Sequence, residues 1–282
     1  MNVKDKRIAL VLSGGGARGL AHIGVIQAIE RMGGNITSIA GVSMGALVGG
    51  LYAANRLKVY TDFMLDLRQS DLFTMADLRL GRNGLIKGEK ILGELDTLAR
   101  NKQIEKLKRK FVTVATDWRS REEVVFRSGN LVEAIRASCA IPGLIAPVVV
   151  NDRELIDGAI ANPLPMNHVN RENTDLLVAV NCNAYALGSE TAEEETRFNR
   201  RKNARKNLVR QPVTEPEQPS TLINLLNSSL EMITGQLGRQ MLKQYPPDLY
   251  LEFPKTRFNT FDFHRASSII RMGEQEMLHK LK

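Results

Sequence analysis

A serine stands between two glycines in Gly41-Val42-Ser43-Met44-Gly45, after an apolar run and before a stretch of small residues that reads as a helix. Gly-x-Ser-x-Gly between a strand and a helix is the setting of a nucleophile elbow. The glycines let the backbone turn sharply enough to lift the serine Oγ clear of a sheet. The helix N-terminus behind it favours negative charge as it develops. Outside that setting the pentapeptide reads as a plain turn.

A second glycine cluster lies upstream, Ser13-Gly14-Gly15-Gly16-Ala17-Arg18-Gly19. Gly14-x-Gly16-x-x-Gly19 formally fits a dinucleotide fingerprint. That pattern also expects an acid about 20 positions on, at the end of the second strand, to hold a ribose hydroxyl. Here the second strand ends in Ala40-Gly41-Val42-Ser43, without a carboxylate, which counts against a dinucleotide-binding oxidoreductase. A Walker A reading fails because no Gly-Lys-Ser/Thr follows. What remains is a nest of backbone N–H groups at a helix start, able to bind a phosphate or a transient oxyanion.

A serine nucleophile needs a base. Of the four histidines, His22 reads as a half-buried helix residue and His168 belongs to a polar stretch, while His264 and His279 bracket the last helix as capping or surface groups. None stands at a strand end that leads into a loop. Asp157 does, in Ile156-Asp157-Gly158-Ala159, which closes a strand and runs on to Asn162-Pro163. Its carboxylate could take the Ser43 proton directly, making a two-residue site. Alone, it would read as a turn aspartate before glycine.

These residues need elements to position them. Ile8 to Leu12 is a short apolar run of the kind buried on both faces of a sheet. A helix follows the glycine loop, with Leu20, Ile23, Ile26, Ala28 and Ile29 as its apolar side and Gly33-Gly34 as its end. Ile36 to Val42 is a second strand and Ala46 to Ala54 a second helix. This alternation predicts parallel strands joined by right-handed crossovers, an α/β fold with a mostly parallel sheet. Further strands are expected at Phe111 to Thr116, Leu176 to Asn181 and Leu249 to Phe253. Val148 to Ile156 reads as a hairpin turning at Asn151-Asp152. Asn130 and Glu133 resemble a capping box opening a helix that ends before Pro142. The last helix, His264 to Leu281, takes Asp262 as its expected cap.

Together, Gly14-Gly15-Gly16-Ala17-Arg18-Gly19, Gly41-Val42-Ser43-Met44-Gly45 and Asp157-Gly158-Ala159 resemble the patatin-like phospholipases. Ala137-Ser138-Cys139-Ala140-Ile141-Pro142 is similar to that family's proline-containing block. The resemblance covers about residues 7 to 180. It implies a three-layer α/β/α core, a Ser43–Asp157 dyad, and an oxyanion hole from the N–H groups of Gly14, Gly15 and Gly16, with Arg18 supporting the loop. It implies no metal and no organic cofactor. The expected activity is that of a serine esterase or lipid acyl hydrolase, of phospholipase A or lysophospholipase type. The alternative on the same fold is a catalytically silent acyl-chain or lipid binding protein.

Composition bounds the rest. The 282 residues, 43% hydrophobic and 25% charged, exclude a disordered chain, a collagen-like repeat and a coiled coil. Cys139 and Cys182 share no metal or redox spacing. No run approaches the roughly 18 apolar residues of a membrane span, and five apolar residues after Arg7 are too few for a signal core. The expected location is the cytoplasm. One domain is expected over 1–282, with a variable, lid-like charged region at about 184–245.

A formal charge of +8 points to anionic partners. Seven Lys and Arg fall between Arg197 and Arg210, ahead of a helical stripe with Leu222, Leu225, Leu226, Ser229, Ile233, Leu237 and Met241. The stripe alone reads as a core-packing face. Beside the basic run it suggests peripheral contact with an anionic membrane through 197–210 and 220–242. No specific nucleic-acid binding is expected.

Overall fold

The computed structural model describes residues 1–67, 95–184, 222–254 and 257–282. Eight strands form one sheet: β1 (Arg7–Leu12), β2 (Asn35–Gly41), β3 (Lys110–Asp117), β4 (Glu123–Phe126), β5 (Val148–Val150), β6 (Arg153–Asp157), β7 (Leu176–Ala184) and β8 (Leu249–Pro254). The hydrogen-bonded order is β5-β6-β3-β2-β1-β7-β8, with β4 also on β3. Strands β3, β2, β1, β7 and β8 run parallel; β4, β5 and β6 are antiparallel additions. The fold is therefore α/β with a mostly parallel sheet, as the strand–helix alternation predicts.

Strand β1 shows why the sheet forms three layers. Ile8, Leu10 and Leu12 face a large apolar core shared with α1 (Ala21–Arg31), α2 (Met44–Ala53), α3 (Leu57–Asp66), α4 (Leu131–Ser138) and α6 (Ala266–Leu281). The alternate residues Ala9 and Val11 face a smaller core with Ala40, Val112, Leu164 and Met166. Against that second core pack Met241 and Leu242 of α5 (Leu222–Gln244). A strand covered on both faces must be apolar at every position, and Ile8 to Leu12 is.

Helices α1 and α6 meet backbone to backbone. A Cβ on Gly24 would stand 1.9 Å from the Ile270 carbonyl oxygen, and one on Gly273 would stand 2.1 Å from that of Ala21. The helix that leaves the glycine loop is therefore clamped by the last helix of the chain.

Strand β3 brings the functional ends together. It pairs Thr113 with both Gly41 of β2 and Phe126 of β4, so these strands take opposite edges. Thr116 pairs with both Glu123 of β4 and Ile156 of β6, which again sets them on opposite edges. Strands β2 and β6 therefore share one edge of β3 and end against each other. Gly41 lies opposite Thr113 and Asp157 opposite Ala115.

Several local expectations need adjustment. The Asn151-Asp152 turn forms, with φ of 49° and 61°. Asn130 caps α4 by accepting from the N–H groups of Val132 and Glu133, and the helix stops at Ser138, well short of Pro142. Asp262 does not cap the last helix, which opens with a 3-10 turn at Phe263–Arg265. Its carboxylate accepts from the Asn259 N–H and pairs with Arg265 instead. Strand β4 and helix α3 had no clear signal in the sequence. The acidic-to-basic stretch, including Arg197 to Arg210, lies outside the described residues.

Candidate active site

The turn at Ser43 is strained. Its φ of 54° and ψ of −125° fall where a residue with a side chain rarely sits. Neighbouring elements hold it there. The Ser43 N–H donates to Ser138 Oγ at 2.9 Å, and the Cys139 thiol donates to the Ser43 carbonyl at 3.1 Å. Gly45 allows α2 to start against β1, since a Cβ there would stand 2.3 Å from the Leu12 carbonyl oxygen.

The Ser43 side chain lies near enough to the Asp157 carboxyl to lower its pKa. Asp157 Oδ1 accepts the Ala159 N–H at 2.9 Å, and the Asp157 N–H donates to the Ala140 carbonyl at 2.9 Å. The block from Ser138 to Ala140 thus fixes both partners. Ser43 and Asp157 are each only 5% exposed. Burial pushes the Asp157 carboxyl up to about 6, with the nearby Ser43 side chain and the Ala159 N–H acting against the rise. A carboxylate so placed is a stronger base than one in water.

The glycine loop lies beside this pair. A Cβ on Gly14 would be 3.0 Å from Ser43 Cβ and 3.5 Å from its Oγ. The loop continues through Gly15 at φ 151° and Gly16 at φ 56°, both in the region that glycine favours. The Ala17 N–H donates to Thr260 O at 2.8 Å. The N–H groups of Gly14, Gly15 and Gly16 donate to no group among the described residues. They are available to an oxygen held near Ser43.

Arg18 is held by partners the sequence did not suggest. It is 5% exposed and donates through Nη2 to Asn183 Oδ1 at 2.9 Å, with Glu231 Oε1 of α5 at 3.6 Å. Asn183 in turn donates its backbone N–H to Asn181 Oδ1. The anchor is a side chain on β7.

The histidines are elsewhere. His22 is fully buried, so the half-buried reading is corrected. Its Nε2 donates to the Ser13 carbonyl at 2.8 Å, and burial lowers its pKa to about 4. His168 pairs with Glu123 at 2.7 Å; His264 and His279 are exposed. Among the described residues no histidine hydrogen-bonds to Ser43 or Asp157. The sequence reading missed the parts played by Ser138 and Asn183; each is one polar residue within an ordinary helix end or strand end, and no spacing marks it.

The apolar stripe on α5 only partly packs. Met241 and Leu242 join the second core, whereas Leu225 and Ile233 are 49% and 58% exposed, as is Met232 at 55%. The side chains of Leu222 and Leu226 lie outside the described set.

The chain is similar to several known proteins. The chain is 34% identical over 95% of its length to an uncharacterized NTE family protein of Mycobacterium tuberculosis, covering 89% of that protein. It is 28% identical over 98% of its length to lysophospholipase NTE1 of Pyricularia oryzae, covering 19% of that protein. Among solved structures it is similar to VipD from Legionella pneumophila, at 15% identity and a TM-score of 0.39 over 96% of this chain and 75% of that one. A family model described as patatin-like phospholipase matches residues 10–169, a span holding the glycine loop, the serine elbow and Asp157. With that match over more than half its length, the chain belongs to the patatin-like phospholipase family.

Proposed function

We propose that the protein is a serine acyl hydrolase acting on lipid esters, of phospholipase A or lysophospholipase type. Ser43 Oγ attacks the ester carbonyl while Asp157 takes its proton, and the Gly14, Gly15 and Gly16 amides stabilise the tetrahedral oxyanion. The C–O bond to the leaving alcohol or lysolipid breaks, the proton returns to that oxygen, and an acyl-Ser43 ester remains. Water then attacks the acyl carbon by the same route, its proton passing to Asp157 and back to Ser43 Oγ. The single observation behind this reading is the burial of Ser43 beside Asp157, next to a glycine loop whose amides have no acceptor among the described residues.

Lipid as substrate is supported by family membership and by where exposed apolar side chains gather. Met232 and Ile233 directly follow Glu231, which stands across from Arg18 in the glycine loop. Phe261, 58% exposed, follows the Thr260 whose carbonyl receives the Ala17 N–H. We propose that this rim meets the lipid surface and that the basic run at 197–210 adds attraction to anionic headgroups. Among the described residues no helix is long and apolar enough to cross a membrane.

A fluorophosphonate probe tests the core of the reading, because it phosphonylates an activated serine. Labelling of the wild type that is lost in Ser43→Ala, with turnover of phospholipid, lysolipid or neutral esters, is the expected result. A folded wild type that neither labels nor turns over any of them would favour a silent lipid-binding protein.

A further inference from the structure

Two buried polar groups beneath the glycine loop have no part in the chemistry above. His22 in α1 donates Nε2–H to the Ser13 carbonyl at 2.8 Å. A carbonyl only accepts, so Nε2 carries the proton and Nδ1 of the neutral ring is left as an acceptor. The Cys182 thiol of β7 lies 3.7 Å from Nδ1 and can donate to it. Ser13 Oγ accepts the Cys182 N–H at 2.8 Å and donates to the Gly14 carbonyl at 2.8 Å. All of these groups are buried, and Gly15 packs directly on Cys182.

Peptide geometry turns these bonds into an aiming device. Among the described residues there is no cis peptide bond, so each carbonyl of the loop points opposite to the N–H of the next residue. Tying the Ser13 carbonyl to His22 directs the Gly14 N–H away from His22. Tying the Gly14 carbonyl to Ser13 Oγ likewise fixes the direction of the Gly15 N–H. Glycine flanked by glycine has little side-chain packing of its own to fix those planes. Neither amide has an acceptor among the described residues, and Gly14 lies against Ser43.

We propose that His22 and Ser13 are positioning residues that aim the Gly14 and Gly15 amides at the oxyanion, with Cys182 selecting the His22 tautomer this requires. The inference rests on the acyl hydrolase reading. The low pKa of His22, about 4, and the thiol of Cys182, pushed up by burial, keep both groups in the needed forms at neutral pH. A donor aimed only when its carbonyl is anchored gives up its share of oxyanion stabilisation when the anchor goes, and one such donor is worth about a hundredfold or more in kcat.

The test compares His22→Phe, which keeps bulk and loses both nitrogens, with His22→Gln, whose amide N–H can reach toward the Ser13 carbonyl. The expected result is a kcat lowered about tenfold or more in His22→Phe with KM within twofold, slower fluorophosphonate labelling, and partial recovery of both in His22→Gln. Ser13→Ala should show the same split between kcat and KM, and it carries the test if His22→Phe fails to fold. The proposal is overturned if folded His22→Phe, or Ser13→Ala in its place, keeps kcat within twofold. It is also overturned if His22→Gln is no faster than His22→Phe at equal melting temperature. Failure of the acyl hydrolase reading looks different, because the wild type itself then neither labels nor turns over.

Discussion

The Ser43 amide donates to the hydroxyl of Ser138, so the strained turn at one end of β2 is tied to the last residue of α4 and not to its own helix. The next residue, Cys139, holds the Ser43 carbonyl, and Ala140 receives the Asp157 N–H. Three consecutive residues thus register two functional groups 114 positions apart in sequence.

Ser138→Ala leaves the buried Ser43 N–H without an acceptor. A donor stranded in this way costs on the order of 1–3 kcal/mol. The expected outcome is a loss of stability of that size in chemical denaturation, together with a lower kcat as the elbow relaxes. Unchanged kcat in the folded variant would show that the elbow keeps its geometry without this bond.

Asp157 sets the pH behaviour. As a base it must be ionised, so kcat/KM should fall about tenfold per pH unit below roughly 6 and level off above it. Its effect on stability runs the other way. The folded-state pKa of about 6 lies above the usual carboxylate value, so the buried group is most easily tolerated when protonated. Its contribution is fully present below pH 4 and is lost as pH rises through 6. Asp157→Asn should therefore be inactive yet more stable than wild type above pH 6, by on the order of 2–3 kcal/mol. The difference should vanish near pH 4. Melting curves of both proteins across that range check the sign.

Arg18 and Asn183 act as one support. Arg18→Ala removes the donor to Asn183 Oδ1, and Asn183→Ala removes the acceptor. Each should lower kcat, and the double variant should be little worse than either single one, because the second change removes nothing further. Strictly multiplicative losses, or an effect confined to KM on anionic substrates, would assign Arg18 to headgroup contact instead.

Membrane approach is open to direct measurement. Met232→Ser with Ile233→Ser should weaken co-sedimentation with vesicles at every salt concentration, since the lost contact is apolar. Neutralising Arg200, Arg201, Lys202, Arg205 and Lys206 should weaken it chiefly at low salt and with anionic lipid. Equal pelleting of wild type and both variants removes the membrane role.

Much of this arrangement was legible in the residues themselves. Apolar runs bounded by glycine gave the parallel strands, because a strand covered on both faces leaves no alternation to confuse with a helix. The Gly41–Gly45 pentapeptide and the Asp157 turn each name a local backbone geometry, and that geometry forms. Long-range pairing was less visible. That β2 and β6 share an edge of β3 depends on pairings about 70 and about 40 positions apart, which no local pattern encodes. Arg18 was expected to support the glycine loop, but its partner on β7 could not be read from spacing. His22 looked ordinary because a helix periodicity counts it as a boundary residue; its buried contacts with Ser13 and Cys182 come from chain segments that no spacing connects to it.

The touching backbones at Gly24 and Gly273 also say something about how the protein is made. They join the element that follows the glycine loop to a helix some 250 positions later. Contacts of such separation form late, so α1 gains this brace only after α6 has been synthesised. The nucleophile can be in place while the loop beside it still lacks its final support. A nascent chain halted before residue 266 would therefore carry Ser43 and the glycine loop without the helix that braces α1.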